Sequence, residues 1–263
     1  MQIIRVRLVN SKNEKGCEKS PVEVLKSLQK IRTNESGKII EFEKLNLEEI
    51  HVDLENLDEA NFLIFENSKE IFEKNFKSFF IGGDGCISYS ILRAFEKVQE
   101  NPLLVVFDAH ADCLDCNDKF PDNKQWIKSL IENGFSGERI VLVGIRDISI
   151  EEKEFLKENG VTLINMDVIQ EDIEGVCDLV MERARKSGGF YISIDIDVVE
   201  PGNAPGVNDI SPGGLSSREL IYFIKRLSFL KNFRGADIVE INPSRDLNGM
   251  TVELVAKIFG EMI

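Results

Sequence analysis

Two apolar runs of strand length end directly in closely spaced acidic residues, and this pattern constrains the fold more than any other feature. The runs span residues 103–107 and 190–193 and are rich in β-branched and aromatic side chains. In an extended chain, side chains two residues apart point to the same side. The polar side chains that follow the two runs should therefore converge in two clusters: Asp108, His110 and Asp112, and Asp195 and Asp197.

Four carboxylates and one imidazole at two strand ends predict a metal site. Like charges this close cannot all stay ionised without compensation, and a divalent cation supplies it. Oxygen ligands with a single histidine suit Mn²⁺, with Zn²⁺ and Ni²⁺ as alternatives. Four negative charges match two divalent ions, whereas a single ion leaves charge uncompensated unless a carboxylate takes a proton or a cation approaches. We therefore expect one or two ions.

Apolar segments of strand length alternate with segments of helical period along most of the chain. Strands are predicted near 2–9, 38–42, 79–82, 103–108, 139–144, 161–165, 190–195 and 234–240. Helices are predicted near 21–32, 60–76, 87–99, 124–133, 150–159, 172–186, 216–230 and 249–262. This alternation predicts an α/β fold in which parallel strands are joined by helices on both faces of the sheet. Ligands bind such sheets beyond the carboxyl ends of the strands, where both acidic clusters lie.

The composition limits the domain organisation and the class of partner. A chain of 263 residues with 43% hydrophobic residues is expected to form one domain over 1–263. Its formal net charge of −14 argues against nucleic acid and anionic membrane surfaces as partners. The chain lacks an apolar run of about 18 residues, and its start resembles a strand rather than a signal peptide. Five cysteines, an odd number, predict reduced thiols and a cytoplasmic location.

Several ordered motifs resemble the ureohydrolase family, which includes arginase, agmatinase and formiminoglutamase. Gly82-Gly83-Asp84 resembles the start of the family's GGDHS, and Asp108 to Asp112 resembles its DAHxD. Ser193 to Pro201 resembles SxDxDxxDP, and the segment from Asp237 through Glu240 to Pro243 resembles the family's C-terminal signature. The resemblance extends over nearly the whole chain. Its specificity comes from several motifs in the right order and at the right spacing.

The resemblance implies a fold, a cofactor and a reaction. The fold is a three-layer α/β/α sandwich with an eight-stranded, mainly parallel sheet. The family holds a pair of Mn²⁺ ions and hydrolyses C–N bonds in small guanidino or amidine-type compounds, and its members form homo-oligomers, usually trimers or hexamers. By the same resemblance, Asp108 and Asp195 bridge the metals, His110 and Asp197 complete one of them, and Asp112 serves the other. Glu240 stands where a carboxylate pairs with the substrate guanidinium.

The chain departs from the family pattern at positions close to the chemistry. Gly85 and Cys86 stand where GGDHS has its metal-ligating histidine and its serine, so the first metal loses its nitrogen ligand. Asn123 aligns with a histidine that shuttles protons, and an amide does not titrate near neutral pH. Asp209 lies in a segment where the family has a threonine, and it is either a turn residue or a contact for a cationic substrate group.

Three interpretations follow from these departures. The first, which we favour, is a metal-dependent hydrolase with a modified site, in which Asn123 and Glu240 take the catalytic positions and Asp209 and Glu240 bind the substrate. In it, a water or the Cys86 thiolate replaces the lost ligand. The second is an enzyme with one metal, comparable to the distantly related histone deacetylase-like hydrolases. The third is a family member that binds metal without catalysis, because loss of a ligand and a proton shuttle is typical of an inactive paralogue.

Overall fold

Eight parallel strands form one sheet in the computed structural model, which describes residues 2–11 and 15–263. The strands are β1 (Gln2–Val6), β2 (Asn46–Ile50), β3 (Ser78–Ile81), β4 (Pro102–Phe107), β5 (Ile140–Ile145), β6 (Thr162–Asn165), β7 (Gly189–Asp195) and β8 (Phe233–Val239). Their order across the sheet is β2-β1-β3-β8-β7-β4-β5-β6. Every pairing is parallel, which confirms the predicted α/β/α class with an eight-stranded sheet.

Helices connect the strands and cover both faces of the sheet. They are α1 (Ser20–Leu28), α2 (Leu57–Lys74), α3 (Cys86–Val98), α4 (Trp126–Glu132), α5 (Ile150–Glu158), α6 (Met166–Glu171), α7 (Ile173–Lys186), α8 (Ser217–Ser228) and α9 (Met250–Met262). The start of α8 has the capping box that its sequence suggests, since Ser216 accepts a hydrogen bond from the Glu219 amide. Within the described ranges, none of these helices is long and apolar enough to cross a membrane.

The core lies in two layers, one on each face of the sheet. Alternate residues of β4 enter different layers: Val105 and Phe107 pack on the side of α1 and α6 to α9, whereas Leu104 and Val106 face α2 to α5. All six residues of β4 are buried. A strand covered on both faces reads as a continuous apolar run, which is why β4 and β7 were recognisable from sequence.

The second predicted strand is wrong. Residues 38–42 form one isolated bridge, between Thr33 and Ile39, and the side chain of Ile39 is 71% exposed. The strand lies instead at Asn46–Ile50, where Ile50 alone is buried. As an edge strand it carries charged side chains, so it lacks the apolar pattern by which strands are recognised. The short helix α6 was also missed, because it covers only six residues before α7 begins.

The strand order brings the sequence motifs to one place. Strands β3, β8, β7 and β4 are neighbours at the centre of the sheet, although they are far apart in sequence. Phe107 at the end of β4 pairs with Ile194 near the end of β7. Because the strands are parallel, the segments that follow all four emerge at the same edge of the sheet.

Candidate metal centre

The cluster after β4 is fixed by its own backbone. The Asp108 carboxylate is buried and accepts a hydrogen bond of 2.7 Å from the backbone amide of His110. This contact turns the chain so that the Asp108 and His110 side chains face the same side. The amide of the intervening Ala109 donates to Asp197 Oδ1 at 3.1 Å, which ties this cluster to the one after β7.

The cluster after β7 completes a set of ligands for at least one cation. Asp195 Oδ1 accepts a hydrogen bond of 2.9 Å from the Asp197 amide, which starts a short 3₁₀ turn. Asp197 Oδ2 lies 2.9 Å from His110 Nδ1. One ligand atom each from Asp108, His110 and Asp197 lie within 4.8 Å of one another, a spacing at which a single ion can contact all three.

Asp112 reaches the same chamber from a left-handed backbone conformation, with φ of +52°. Such a conformation is uncommon for a residue other than glycine and concentrates at functional sites. Its side chain is held by the indole of Trp126, whose Nε1 donates to Asp112 Oδ2 at 2.7 Å. Trp126 is buried at the start of α4, so it orients Asp112 as well as filling the core.

The chamber brings several buried carboxyl groups close together, and their proximity changes the pKa of each. Burial raises the pKa of Asp108 and of Asp195 well above the usual range, and the neighbouring aspartates raise both further. Burial likewise raises the pKa of Asp112 from 3.8 to about 7. For His110, burial lowers the pKa, but the hydrogen bond and charge of Asp197 outweigh it and raise the pKa to about 9. This donor set of buried oxygens and one imidazole fits divalent cations.

Glu240 faces the carboxylates from the end of β8. It also has a left-handed backbone, with φ of +65°, and its Oε1 accepts a hydrogen bond of 2.6 Å from the Gly85 amide. A Cβ atom at Gly85 would lie 3.4 Å from the Asn123 Cβ and 3.5 Å from Glu240 Oε1, both ordinary contacts. Gly85 therefore lies between Asn123 and Glu240, and its backbone amide holds the Glu240 carboxylate.

Asn123 has its side chain inside the chamber. It is 8% exposed and lines the chamber together with Asp195, Asp197 and Glu240. A side-chain amide can donate and accept hydrogen bonds, so Asn123 suits contact with a polar group in the chamber.

The cysteines near the site do not add ligands to the metal cluster found among the described residues. Burial raises the pKa of the Cys86 thiol well above its usual range, as do the charge and hydrogen bond of Asp84. Burial also raises the pKa of Cys113. Cys113 and Cys116 are both free thiols. A thiol ligates metal as thiolate, so these environments oppose the role for Cys86 that its sequence position suggests.

The entrance to the chamber carries an ion pair. Lys124 Nζ lies 2.7 Å from Asp209 Oδ2, and that oxygen lies 3.9 Å from His110 Nε2. The hydrogen bond from Lys124 holds the pKa of Asp209 below its usual range. Asp209 is therefore at the site, as its prediction as a substrate contact requires, and its charge is shared with Lys124.

Hydrogen bonds from Arg146 hold the loop that follows β7 in place. Its guanidinium donates to the carbonyl oxygens of Asp197, Val198 and Ser211, at distances of 2.5 to 3.2 Å. All of these acceptors lie on the loop between Asp197 and the start of α8, so Arg146 fixes the backbone next to Asp197. Five donors in a planar fork suit this task better than a lysine would.

All eight predicted site residues lie around one chamber: Asp108, His110, Asp112, Asn123, Asp195, Asp197, Asp209 and Glu240. Sequence reasoning missed the contacts of Trp126, Lys124 and Arg146 with this site. Lys124 directly follows Asn123 and Arg146 directly follows β5, so both positions carried a signal, but the partners of both lie on loops.

Comparisons with known proteins agree in fold and in family. The model of the arginase family matches residues 2–263. Arginase 1 of Arabidopsis thaliana is 36% identical over 207 residues, which cover 76% of this chain and 58% of that protein. Formimidoylglutamase of Bacillus subtilis is 31% identical over 183 residues, which cover 68% of this chain and 57% of that protein. The matched region thus spans less than two thirds of the length of either relative.

Solved structures show the same architecture over nearly the full chain. The crystal structure of formimidoylglutamase from Bacillus subtilis superposes with a TM-score of 0.92 at 25% identity and covers 99% of this chain and 85% of its own. Proclavaminate amidino hydrolase from Streptomyces clavuligerus superposes with a TM-score of 0.89 at 25% identity and covers 99% and 89%. Family model, relatives and fold agree, and the chain belongs to the arginase family.

Proposed function

We propose that this chain is a metal-dependent hydrolase of C–N bonds in a small guanidino or amidine-type compound. The observation that carries this proposal is the convergence of four buried aspartates and His110 opposite the Glu240 carboxylate. Membership of the arginase family supports it, since relatives bear the names arginase and formimidoylglutamase. The metal we expect is Mn²⁺, with Zn²⁺ or Ni²⁺ as alternatives.

The metal would be held by the side chains of Asp108, His110, Asp112, Asp195 and Asp197. Divalent ions bound there would supply a water nucleophile that is ionised near neutral pH and would polarise the group under attack. The chain's own contribution is geometric. The amides of Ala109, His110 and Asp197 and the Trp126 indole each donate to an aspartate and fix the direction of its remaining oxygen.

The substrate would be oriented by the residues opposite the aspartates. Glu240, held by the Gly85 amide, pairs with the positively charged amidine or guanidinium group. The Asn123 amide hydrogen-bonds to the same group and cannot carry a proton as an imidazole would. A reaction without that shuttle is expected to be slower, by about 10²- to 10⁴-fold on the scale of general acid–base catalysis. Asp209 binds the far end of the substrate.

The cellular setting belongs to the same proposal. We expect a homo-oligomer, trimer or hexamer, on resemblance to the family, and a cytoplasmic location on cysteine content. The partner is a small cationic guanidino or amidine-type molecule, and we expect neither nucleic acid nor membrane as partner.

Turnover by the Mn²⁺-loaded protein tests this proposal directly. Release of urea from guanidino compounds and of formamide from formimino compounds is measured across a panel of both, with Asp108→Asn as the inactive reference. Turnover of at least one compound that is lost in Asp108→Asn is the expected result. No turnover across the panel, with metal bound, would instead support the non-catalytic interpretation.

A mononuclear enzyme is the second candidate. The observation that favours it is the compact set of Asp108, His110 and Asp197, which suits one ion, together with Gly85 in place of a nitrogen ligand. This candidate predicts one ion per chain at saturation and turnover of simple amides, as expected of a deacetylase-like hydrolase, in place of guanidino compounds.

A further inference from the structure

A second cavity lies at the opposite edge of the sheet from the metal centre, where the strands begin. This amino-edge cavity is enclosed by residues 101–103 at the start of β4, Arg139 before β5 and the end of α7, and it offers about 340 Å³ to the centre of a water molecule. The Gly188 amide donates to the Asn101 carbonyl oxygen at 2.9 Å and joins the segments that precede β4 and β7. The length of β4, roughly 20 Å at the usual rise per residue, separates the cavity from Asp108.

The charged side chains that line the amino-edge cavity, within the described ranges, are all basic: Arg139, Arg183 and Lys186. The whole chain has 46 acidic residues against 32 lysines and arginines, so three cations around one cavity run against its overall charge. Basic residues in the last turn of a helix offset the helix dipole, which accounts for Lys186 in α7. That explanation does not extend to Arg139, which precedes β5.

The Arg183 guanidinium is held in place by contacts that use only part of its capacity. Its Nη1 donates to Thr162 Oγ1 at 2.7 Å, and its Nη2 donates to the carbonyl oxygen of Glu138 at 2.6 Å. A guanidinium has five N–H donors, so three remain for a ligand as far as the described residues are concerned. Because the side chain is already ordered, binding an anion costs less conformational entropy.

The other two cations give up little when they turn to an anion. In the part of the chain that the structure describes, the Arg139 side chain is exposed and makes neither an ion pair nor a hydrogen bond. Lys186 Nζ lies 2.5 Å from Glu182 Oε1, but these side chains are 72% and 60% exposed. Exposed pairs of this kind are weak and screened by salt, so a ligand can compete with Glu182 for Lys186.

We propose that the amino-edge cavity binds phosphate, either as the free ion or as the phosphate group of a small organic molecule. A phosphate group has enough oxygens to contact Arg139, Arg183 and Lys186 together, whereas a carboxylate has two. The cavity is also large enough for an organic part attached to the phosphate. The inference does not depend on the proposed function, because the residues of the chamber take no part in it.

Calorimetry with the metal-free protein tests the site, since phosphate would also bind Mn²⁺ in the chamber. Inorganic phosphate and glycerol 3-phosphate are titrated separately, with chloride used to keep the ionic strength constant. We expect saturable binding that weakens as the ionic strength rises. Tighter binding of the ester would identify an organic phosphate as the ligand, and tighter binding of the inorganic ion would identify free phosphate. Absence of saturable binding of both compounds up to about 10 mM would overturn the inference.

Variants of the basic residues locate the binding. Arg139→Gln/Lys186→Gln removes two cations, keeps the anchored Arg183 and should weaken phosphate binding at least about tenfold. Arg185→Gln is the matched control, because Arg185 lies in the same turn of α7 but does not line the cavity. It should change the affinity less than about twofold.

Equal losses in the double variant and in Arg185→Gln would show a general effect of charge and would overturn the inference. Thermal unfolding checks that each variant is folded. Should the double variant be unstable, Arg139→Gln alone gives the same test, since it removes no ion pair or hydrogen bond that the described residues make. Unchanged affinity in that single variant would likewise overturn the inference.

Discussion

The pKa values of carboxyl groups shift in opposite directions in two regions of this protein, one at the surface and one in the chamber. On the surface, Glu35 is 2.8 Å from Arg218 and 3.0 Å from Lys225, and hydrogen bonds from Lys225 and Arg218 hold its pKa below the usual range. In the chamber, burial and neighbouring acids raise the pKa of Asp108 and Asp195. The surface acid is neutralised by the chain's own cations, whereas the chamber has the chemistry of a site completed by a cation from outside.

Removal of one carboxylate from the chamber is expected to have the largest effect on metal binding. Asp195→Asn should lower the affinity for divalent metal by more than the roughly 10- to 100-fold that loss of an outer-shell partner costs. Turnover should fall with it, because Asp195 is expected to contact both ions. Metal affinity is measured by competition with a chelator.

Asp178→Asn is the control for this variant, since Asp178 is an exposed acid paired with Arg226. It should leave metal binding unchanged. Equal metal affinity in Asp195→Asn and the wild type would contradict the assignment of Asp195 as a ligand.

Restoring the two missing imidazoles tests whether the chamber can still support the family's hydrolysis. Gly85→His combined with Asn123→His should raise hydrolysis of guanidino compounds by about 10²-fold, since it returns a ligand and a proton shuttle. The contacts around Gly85 leave room for a Cβ atom without a backbone clash. Urea release is measured with metal bound, and Gly85→Ala serves as control. No gain in the double variant would show that the site has diverged beyond those two positions.

The metal-free protein should become less stable as the pH rises. Burial raises the pKa of Asp112 and of Asp237 from 3.8 to about 7, so the folded state keeps protons that the unfolded state has lost. The stability that these groups contribute is present below about pH 4 and is lost as the pH rises through about 7. The raised pKa of His110, about 9, acts in the same sense at higher pH.

We expect the free energy of unfolding in chelator to fall by a few kcal/mol between about pH 5 and about pH 8. Urea denaturation measures it. Saturation with metal should reduce the fall, because the cation stabilises the ionised aspartates. A metal-free protein that gains stability over this range would contradict the electrostatic comparison.

The smallest effect is expected at the surface cluster. Glu35→Gln should lower the free energy of unfolding by no more than about 1 kcal/mol, because exposed ion pairs are weak and screened by salt. Thermal unfolding at low and high salt measures the difference. A loss of several kcal/mol that persists in high salt would show that this cluster is as critical to the fold as a buried one.

The sequence predicted the fold where residues are buried on both sides and failed where they are not. Strands β4 and β7 were found because all of their residues face the core. The edge strand Asn46–Ile50 was missed because only Ile50 is buried and charges cover the rest. The alternation of strands and helices predicted the fold class. The adjacency of β3, β8, β7 and β4 was not predicted, because it depends on contacts between segments that are distant in the sequence.

In the site, the contacts set by local spacing were predicted from the sequence, and the contacts made by loops were not. Local spacing was enough to group Asp108 with His110 and Asp195 with Asp197, because an extended chain fixes their directions. The contact of Trp126 with Asp112 and the pairing of Lys124 with Asp209 involve loops, whose course local sequence does not determine. Gly85 was recognised as a missing ligand, but the hydrogen bond from its amide to Glu240 was visible only in three dimensions.

The number of metal ions per chain tests the central claim most directly. Elemental analysis after loading with Mn²⁺, Zn²⁺ or Ni²⁺ and removal of excess metal gives that number without assuming a substrate. The account predicts two ions per chain, held by the four aspartates and His110. One ion would select the mononuclear candidate. No bound ion under any loading would contradict the account and leave a family fold whose acidic chamber serves another purpose.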